Sequence, residues 1–348
     1  MATGSNSVVV LDAGNSEVKA KTSGHETKFA HALFELPEVE YERVMAQSKG
    51  KLPEGYARVN GKPYAWGSLA ERKGMVTRLS GAARYTKDYY GALVGIALSQ
   101  LYSRSGDVTL FASHPPGDAQ YGNDLLRAAL GTYNIEIGKQ EMSFRVVGGS
   151  TFDEPVGGLM NVMLKDNGQQ YARSDITDGD TLVIDVGGLT TDLLSVAVGG
   201  QVDYAVNVSS QIGIRQVLNW FWESLRGTYK DELKGSSWLP ADKLGKALHE
   251  GYIDIGGSRY SCENEAREAA NLVLNRISQL YQEVAGGPAR WNTIVLTGGG
   301  CALLYQRLID EVLNHRNVLL AENSDELGFA NVRGGLKLWR FYEAEGVL

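Results

Sequence analysis

The feature that most narrows what this chain can fold into is a pattern that occurs twice, about half a chain apart. Residues 8–11 form an apolar run that ends at Asp12, turns through Ala13-Gly14-Asn15 and returns along residues 16–22. Residues 181–184 form a second apolar run that ends at Asp185, turns through Gly187-Gly188 and returns along residues 193–198, closed by Gly199-Gly200. Each reads as a buried strand, a glycine turn and a return strand. Repetition of one unit in both halves is the mark of two domains with a common core. The length of 348 residues accommodates two domains, at the usual ~100–200 residues each.

The intervening sequence fits an α/β organisation. Strands are predicted at 108–113, stopped by Pro115-Pro116, at 144–147 and at 293–297. Helices are predicted at 85–103, 123–131, 154–165, 212–225, 263–284, 302–313 and 332–342. The first of these carries Tyr89, Leu93, Ile96, Ala97 and Leu101 at helical spacing and reads as amphipathic. Residues 33–75, with Pro37, Pro53 and Pro63, read as a small accessory subdomain with short strands at 56–59 and 63–66. A second accessory subdomain is expected at about 215–262; its variable part, 226–262, contains Trp238 and Pro240. The polar, turn-rich stretch 166–180 reads as the domain boundary.

Three loops carry candidate chemistry. In the first, Asp12 ends a strand, and the turn of Gly14, Asn15 and Ser16 can present backbone N–H groups to phosphate oxygens. Lys19 can place an ammonium nearby as a point charge. A plain β-hairpin with a glycine turn explains the same residues. In the second, Asp185 is followed by Gly187 and Gly188, which permit close backbone approach, and by Thr190 and Thr191, whose hydroxyls can hold a phosphate or a metal-bound water. A strand-end carboxylate suits Mg²⁺, which keeps several waters and takes few protein ligands. Asp192 faces the same turn. In the third, Gly298-Gly299-Gly300 joins a strand to a helix and leaves bare backbone against which a purine ring can lie. Neither G-x-G-x-x-G nor a P-loop occurs, which disfavours Rossmann and P-loop assignments.

Composition removes several classes. The net charge of −7, without a Lys/Arg block, disfavours direct DNA binding. Apolar runs fall short of the ~20 residues of a membrane span, and the first residues lack the features of a secretory signal. Two distant cysteines, Cys262 and Cys301, have no metal-ligand spacing and suit a reduced, cytoplasmic compartment. The five histidines are scattered at 25, 31, 114, 249 and 315. The cluster Trp220-Phe221-Trp222 and the tyrosines of 85–90 read as packing, and Cys301 as a small buried filler.

The order of these motifs resembles the actin, DnaK-type chaperone and sugar-kinase superfamily over nearly the whole chain, from residue 8 to about 340. Residues 8–20 resemble its first phosphate loop, 182–196 its second and 293–304 its adenosine loop. Thr151-Phe152-Asp153-Glu154-Pro155 with Val156-Gly157-Gly158 resembles the first connecting segment, and Gln211-Ile212-Gly213 the second, where Gly213 would allow close helix approach. Phe329-Ala330-Asn331-Val332-Arg333-Gly334 resembles the tail of bacterial and archaeal actin-like proteins, above all the plasmid-partitioning ParM type. The resemblance implies two actin-type, ribonuclease H-like domains of mixed sheet flanked by helices, with a nucleotide cleft between them. Domain I would comprise 1–165 plus 333–348, and domain II 166–332. ATP, with GTP possible, would bind with Mg²⁺ held by Asp12 and Asp185 through waters. Glu154 would orient or deprotonate the attacking water, and Glu263 and Arg267 would line the adenosine side. The implied activity is ATP hydrolysis coupled to filament formation, for plasmid segregation through a DNA-binding adaptor or for intracellular organisation. A non-polymerising small-molecule kinase or an ATP-binding scaffold on the same fold remains an alternative.

Overall fold

The structure is a computed structural model and describes residues 7–49, 51–72, 79, 81–235, 239 and 241–347. Trp238 and Pro240, in the variable stretch, lie outside the described residues. The chain divides into two compact units, Met1–Ala172 with Asn331–Leu348, and Arg173–Ala330.

The first unit begins with β1 (Ser7–Ala13), β2 (Glu17–Lys21), β3 (Glu26–Ala30) and β4 (Leu33–Glu35), then α1 (Glu38–Gln47), β5 (Tyr56–Val59), β6 (Lys62–Trp66) and α2 (Gly67–Arg72). It continues with α3 (Tyr90–Leu101), β7 (Gly106–His114), α4 (Gly122–Ala129), β8 (Gly131–Ile137), β9 (Gln140–Asp153) and α5 (Glu154–Met163). The C-terminal helix, Ala330–Ala344, joins it. Its nine-stranded sheet has the order β3-β2-β1-β7-β9-β8-β5-β6-β4. Strands β1, β7 and β9 run parallel to one another and the remaining pairs are antiparallel.

Val9, Leu11, Val18 and Ala20 from the first hairpin join β7, β8 and α3 in one core. Helix α3 is buried on all sides: every residue of Tyr90–Leu101 except Gln100 is buried. The amphipathic reading of this segment is therefore corrected. A helix that is apolar nearly all round is covered on both faces, and this one contacts β2, β3, β5, β8, β9 and α4. Strands β5 and β6 form, and β5 pairs with β8, so these residues extend the main sheet.

Strand β9 is 14 residues long, far longer than the 144–147 predicted. The predicted strand stops just before Gly148-Gly149. Instead, a Cβ on Gly149 would lie 2.1 Å from Leu110 O, and the register slips between Val108 and Thr109 at this point. The glycines mark a bulge within a continuing strand.

The second unit contains β10 (Thr181–Val186), β11 (Thr191–Ala197), β12 (Gln201–Ser210), α6 (Ile214–Thr228), α7 (Ala241–Glu250), β13 (Tyr252–Ile255) and β14 (Ser258–Ser261). Then follow α8 (Glu263–Gln279), β15 (Thr293–Thr297), α9 (Cys301–Arg307) and β16 (Val318–Leu320). Its sheet has the order β12-β11-β10-β15-β16, with an antiparallel three-strand meander followed by two parallel strands. The same order and sense occur in β3-β2-β1-β7-β9 of the first unit. Each unit is thus a mixed sheet flanked by helices on a common five-stranded core. Helices α8 and α9 each end in a π-turn, Leu280–Val284 and Leu308–Leu313, where continuous α-helix was expected.

The C-terminal helix packs on α5 at backbone contact. A Cβ on Gly334 would lie 1.7 Å from Gly157 O and 2.6 Å from Asn161 N, and one on Gly157 would lie 2.5 Å from Asn331 O. No helix of the described residues is long and apolar enough to cross a membrane.

Candidate functional site

In the first unit the parallel strands bring two candidate segments, with the end of β7 between them, to one end of the sheet. Leu11 pairs with Ala112, and Ala112 with Thr151. One residue further, Asp12 stands beside Ser113, and His114 pairs with Asp153, immediately before Glu154. Two strand spacings of ~4.8 Å separate β1 from β9, so Asp12 and the start of α5 are about 10 Å apart. Glu154 opens α5, where an acid is favoured by the helix dipole. Pro155 follows in the first turn, where its missing N–H costs no helical bond.

Asp12 is only 3% exposed, and its Oδ1 has no hydrogen-bond partner among the described residues. Burial raises its pKa, while the charges of Lys19 and Arg84 and the hydroxyl of Ser113 oppose that rise. The Lys19 ammonium lies 3.9 Å from Asp12 Oδ2 and 3.7 Å from Glu17 Oε2. A buried carboxylate oxygen with no donor is costly. A cation-bound water would supply that donor, so the residues present fit a hydrated Mg²⁺. Among the described residues no group of three or more His, Cys, Asp or Glu side chains gathers into a metal cage.

Arg84, which no motif marked, is 4% exposed, and its guanidinium donates to the carbonyl of Ala13. It also lies 3.9 Å from Asp118. Tyr85 donates to Asp118 Oδ2 at 3.0 Å. Burial, with the charges of Asp118 and Glu154 and against that of Arg84, raises the Tyr85 pKa. Arg84, Tyr85, Asp118 and Glu154 therefore share one electrostatic neighbourhood.

In the second unit Asp185 is 3% exposed and pairs in register with Asp192 on β11 and Thr297 on β15. A Cβ on Gly298 would lie 2.1 Å from Asp185 Oδ1, and one on Gly300 would lie 2.7 Å from Val186 O. Gly299 has only Gly328 Cα near, at 3.9 Å. Of the three glycines, two let the turn lie on β10 and Gly299 faces room. Cys301 is fully buried, and burial raises its thiol pKa. Gly213 is required for contact: its Cβ would lie 2.7 Å from the carbonyl oxygens of both Gly187 and Gly188.

Of the two threonines, Thr191 departs from the expectation of a hydroxyl facing a phosphate. Thr191 is fully buried and its hydroxyl donates to Ile212 O at 2.7 Å. It fastens the turn to the segment before α6, and its hydroxyl is not presented to a phosphate. Thr190 donates to Asp192 Oδ2 at 3.1 Å. Glu263 and Arg267 lie on the exposed side of α8, with Arg267 bonded to Asn264. Phe221 and Trp222 are buried, whereas Trp220 is 43% exposed.

Comparison with known proteins agrees with this architecture. Residues 183–310 match the family model of the C-terminal domain of archaeal MreB-like actin homologues. Curated protein sequences yield no match. Among solved structures, the archaeal actin homologue Ta0583 superposes with a TM-score of 0.72 at 17% identity, covering 98% of this chain and 100% of that one. A ParM filament protein from Clostridium botulinum gives 0.71 at 17% identity over 95% and 98%. The actin-like protein Alp7A gives 0.71 at 16% identity over 98% of each. The class is thereby defined: this chain has the actin-like fold over nearly its full length. More particularly, residues 183–310 match the archaeal MreB-like C-terminal model, and the fold is shared with Ta0583, ParM and Alp7A.

Proposed function

We propose that the chain is an actin-like ATPase that binds one magnesium nucleotide through the loops of both units, hydrolyses it and assembles into filaments. The observation that carries this reading is the duplicated loop. Each unit carries a buried aspartate next to the end of its central strand, before a glycine turn, and among the described residues Asp12 Oδ1 has no hydrogen-bond partner. Two relatives in fold lend support: a structure of Ta0583 holds ADP, and the Clostridium botulinum ParM forms a filament of 15 strands.

In this reading Gly14, Asn15, Ser16 and Gly188 offer N–H groups to the phosphates, Gly187, whose N–H donates to Thr190 C=O at 2.8 Å, closes the second turn beneath them, and Lys19 adds positive charge. Thr190 shapes the second loop through Asp192. Asp12 and Asp185 would hold a hydrated Mg²⁺, whose charge would neutralise that on the phosphate oxygens. Glu154 orients or deprotonates the attacking water. Gly299 offers open backbone to the nucleoside, and Glu263 and Arg267 border it. The base can be adenine or guanine. A filament so formed would segregate plasmid DNA through an adaptor protein, or organise other contents of the cytoplasm.

Titration calorimetry with magnesium ADP tests the core of the proposal. One nucleotide per chain is expected, lost in both Asp12→Ala and Asp185→Ala; two independent sites, or loss in only one variant, would refute it. Glu154→Ala should bind ADP normally and hydrolyse ATP roughly 10²-fold more slowly. Pelleting and electron microscopy with magnesium ATP test assembly.

A further inference from the structure

The two glycine turns present the same pair of carbonyls, held by different means. Counting from the strand aspartate, the second turn offers Val186 and Gly187. Gly300 N–H donates to Val186 C=O at 2.7 Å, and Ile214 N–H donates to Gly187 C=O at 3.1 Å. Arg215 N–H adds a bond to Gly188 C=O at 2.9 Å. Backbone can reach these carbonyls because Gly213 and Gly300 carry no Cβ.

The corresponding positions of the first turn are Ala13 and Gly14. Here side chains perform the task. The Arg84 guanidinium donates to Ala13 C=O, and His31 Nδ1 bonds to Gly14 C=O. A carbonyl only accepts, so Nδ1 carries the proton. The Tyr89 hydroxyl stands 3.0 Å from His31 Nε2. It donates there in the neutral tautomer and fixes it. All three side chains are buried, at 4% exposure for Arg84, 6% for His31 and 8% for Tyr89.

A trans peptide is planar, with C=O and the following N–H opposed. Drawing Ala13 C=O toward Arg84 therefore turns Gly14 N–H the other way, and drawing Gly14 C=O toward His31 does the same to Asn15 N–H. We propose that Arg84 and His31, with Tyr89 behind it, are positioning residues that aim the first loop's N–H groups at a phosphate. The inference rests on the nucleotide reading above. It assigns roles to three residues that lie outside every recognised motif and come from segments distant from the loop in sequence.

The test is magnesium ADP binding to the full-length chain by calorimetry, with circular dichroism confirming that each variant is folded. Arg84→Met and His31→Leu should each weaken binding roughly tenfold or more, the scale of one hydrogen bond to or from a charged group. His31→Asn places an amide nitrogen near the position of Nδ1 and should restore affinity to within about threefold of wild type. A merely structural histidine would not be rescued in this way. Should His31→Leu fail to fold, Tyr89→Phe removes only the tautomer-fixing hydroxyl and should weaken binding by about threefold. Unchanged affinity in the Arg84 and His31 variants, with wild type binding normally, overturns the positioning role and leaves the nucleotide reading intact. Loss confined to Arg84→Met overturns it in favour of a direct arginine–phosphate contact. A wild-type chain that binds no magnesium ADP overturns the nucleotide reading itself, and this inference with it.

Discussion

Replacing Gly334 by alanine probes the closest contact within the first unit. The added Cβ would lie 1.7 Å from Gly157 O, 2.6 Å from Asn161 N and 2.7 Å from Gly157 C. Comfortable non-bonded contact for carbon is ~3.5–4.0 Å. All three obstacles are backbone of α5, so no side chain can swing aside. The C-terminal helix must withdraw by on the order of 1.5 Å, and a gap of that size forfeits most of the dispersion energy along the crossing. Overpacking of this kind costs about 3 kcal/mol. Alanine recovers ~1 kcal/mol of helix propensity, leaving a net loss of about 2 kcal/mol. For a unit of this size that corresponds to a fall of roughly 4–8 °C in melting temperature. Scanning calorimetry of wild type and variant measures it. Gly227 in α6 provides the control, because nothing lies within 4 Å of its added Cβ. Gly227→Ala should gain ~0.5–1 kcal/mol from propensity alone. A Gly334→Ala protein melting at or above wild type would refute the packing argument.

Three further outcomes follow from other contacts. Gly213→Ala forces a Cβ to within 2.7 Å of two loop carbonyls, and should destabilise the second unit by about 2 kcal/mol, seen as a lowered melting transition. Burial holds the Asp12 pKa above its ordinary 3.8. A raised folded pKa stabilises the fold most below the unfolded value, and that contribution is lost as pH rises through the folded one. Unliganded wild type should therefore lose stability over a window that opens near pH 3.8 and extends upward, and Asp12→Asn should remove that component from the pH profile. The Arg333 side chain beside Glu26, with Nη2–Oε1 at 2.6 Å, lowers the Glu26 pKa. Glu26→Gln should cost about 0.5–1 kcal/mol at neutral pH after solvent screening. That cost should shrink as pH falls through the depressed value, which urea titrations at several pH values would show.

Much of the fold was legible in the chain because it is written in local patterns. Residues 8–11 and 181–184 are apolar runs closed by aspartate and glycine, and both became central strands with a return strand beside them. Period and punctuation suffice for such hairpins, since each half lies next to the other in sequence. The glycine triplet at 298–300 was equally plain. Elements without such punctuation were harder to read, even where, as for β8 and β12, a partner strand adjoins in sequence. Strands β8, β12 and β16 were not predicted, β9 extended through Gly148-Gly149, and α3 was buried on every side.

The candidate site divides along the same line. Asp12, Lys19 and Asp185 could be singled out as candidates because strand ends and glycine turns show in the sequence, and Glu154 because its segment resembles the first connecting segment of the superfamily. Whether a hydroxyl is available is a tertiary matter: Thr191 spends its own on Ile212 O. His31 and Arg84 carried no signal, lying 17 and 71 residues from the carbonyls they hold. The amino-acid order by itself determined where chain turns and where carboxylates end strands, because those depend on neighbours a few residues away. Which donors reach the loop carbonyls, and which glycines must stay bare, was decided only by folding, because that chemistry depends on atoms that sequence separates and packing brings to within 3 Å.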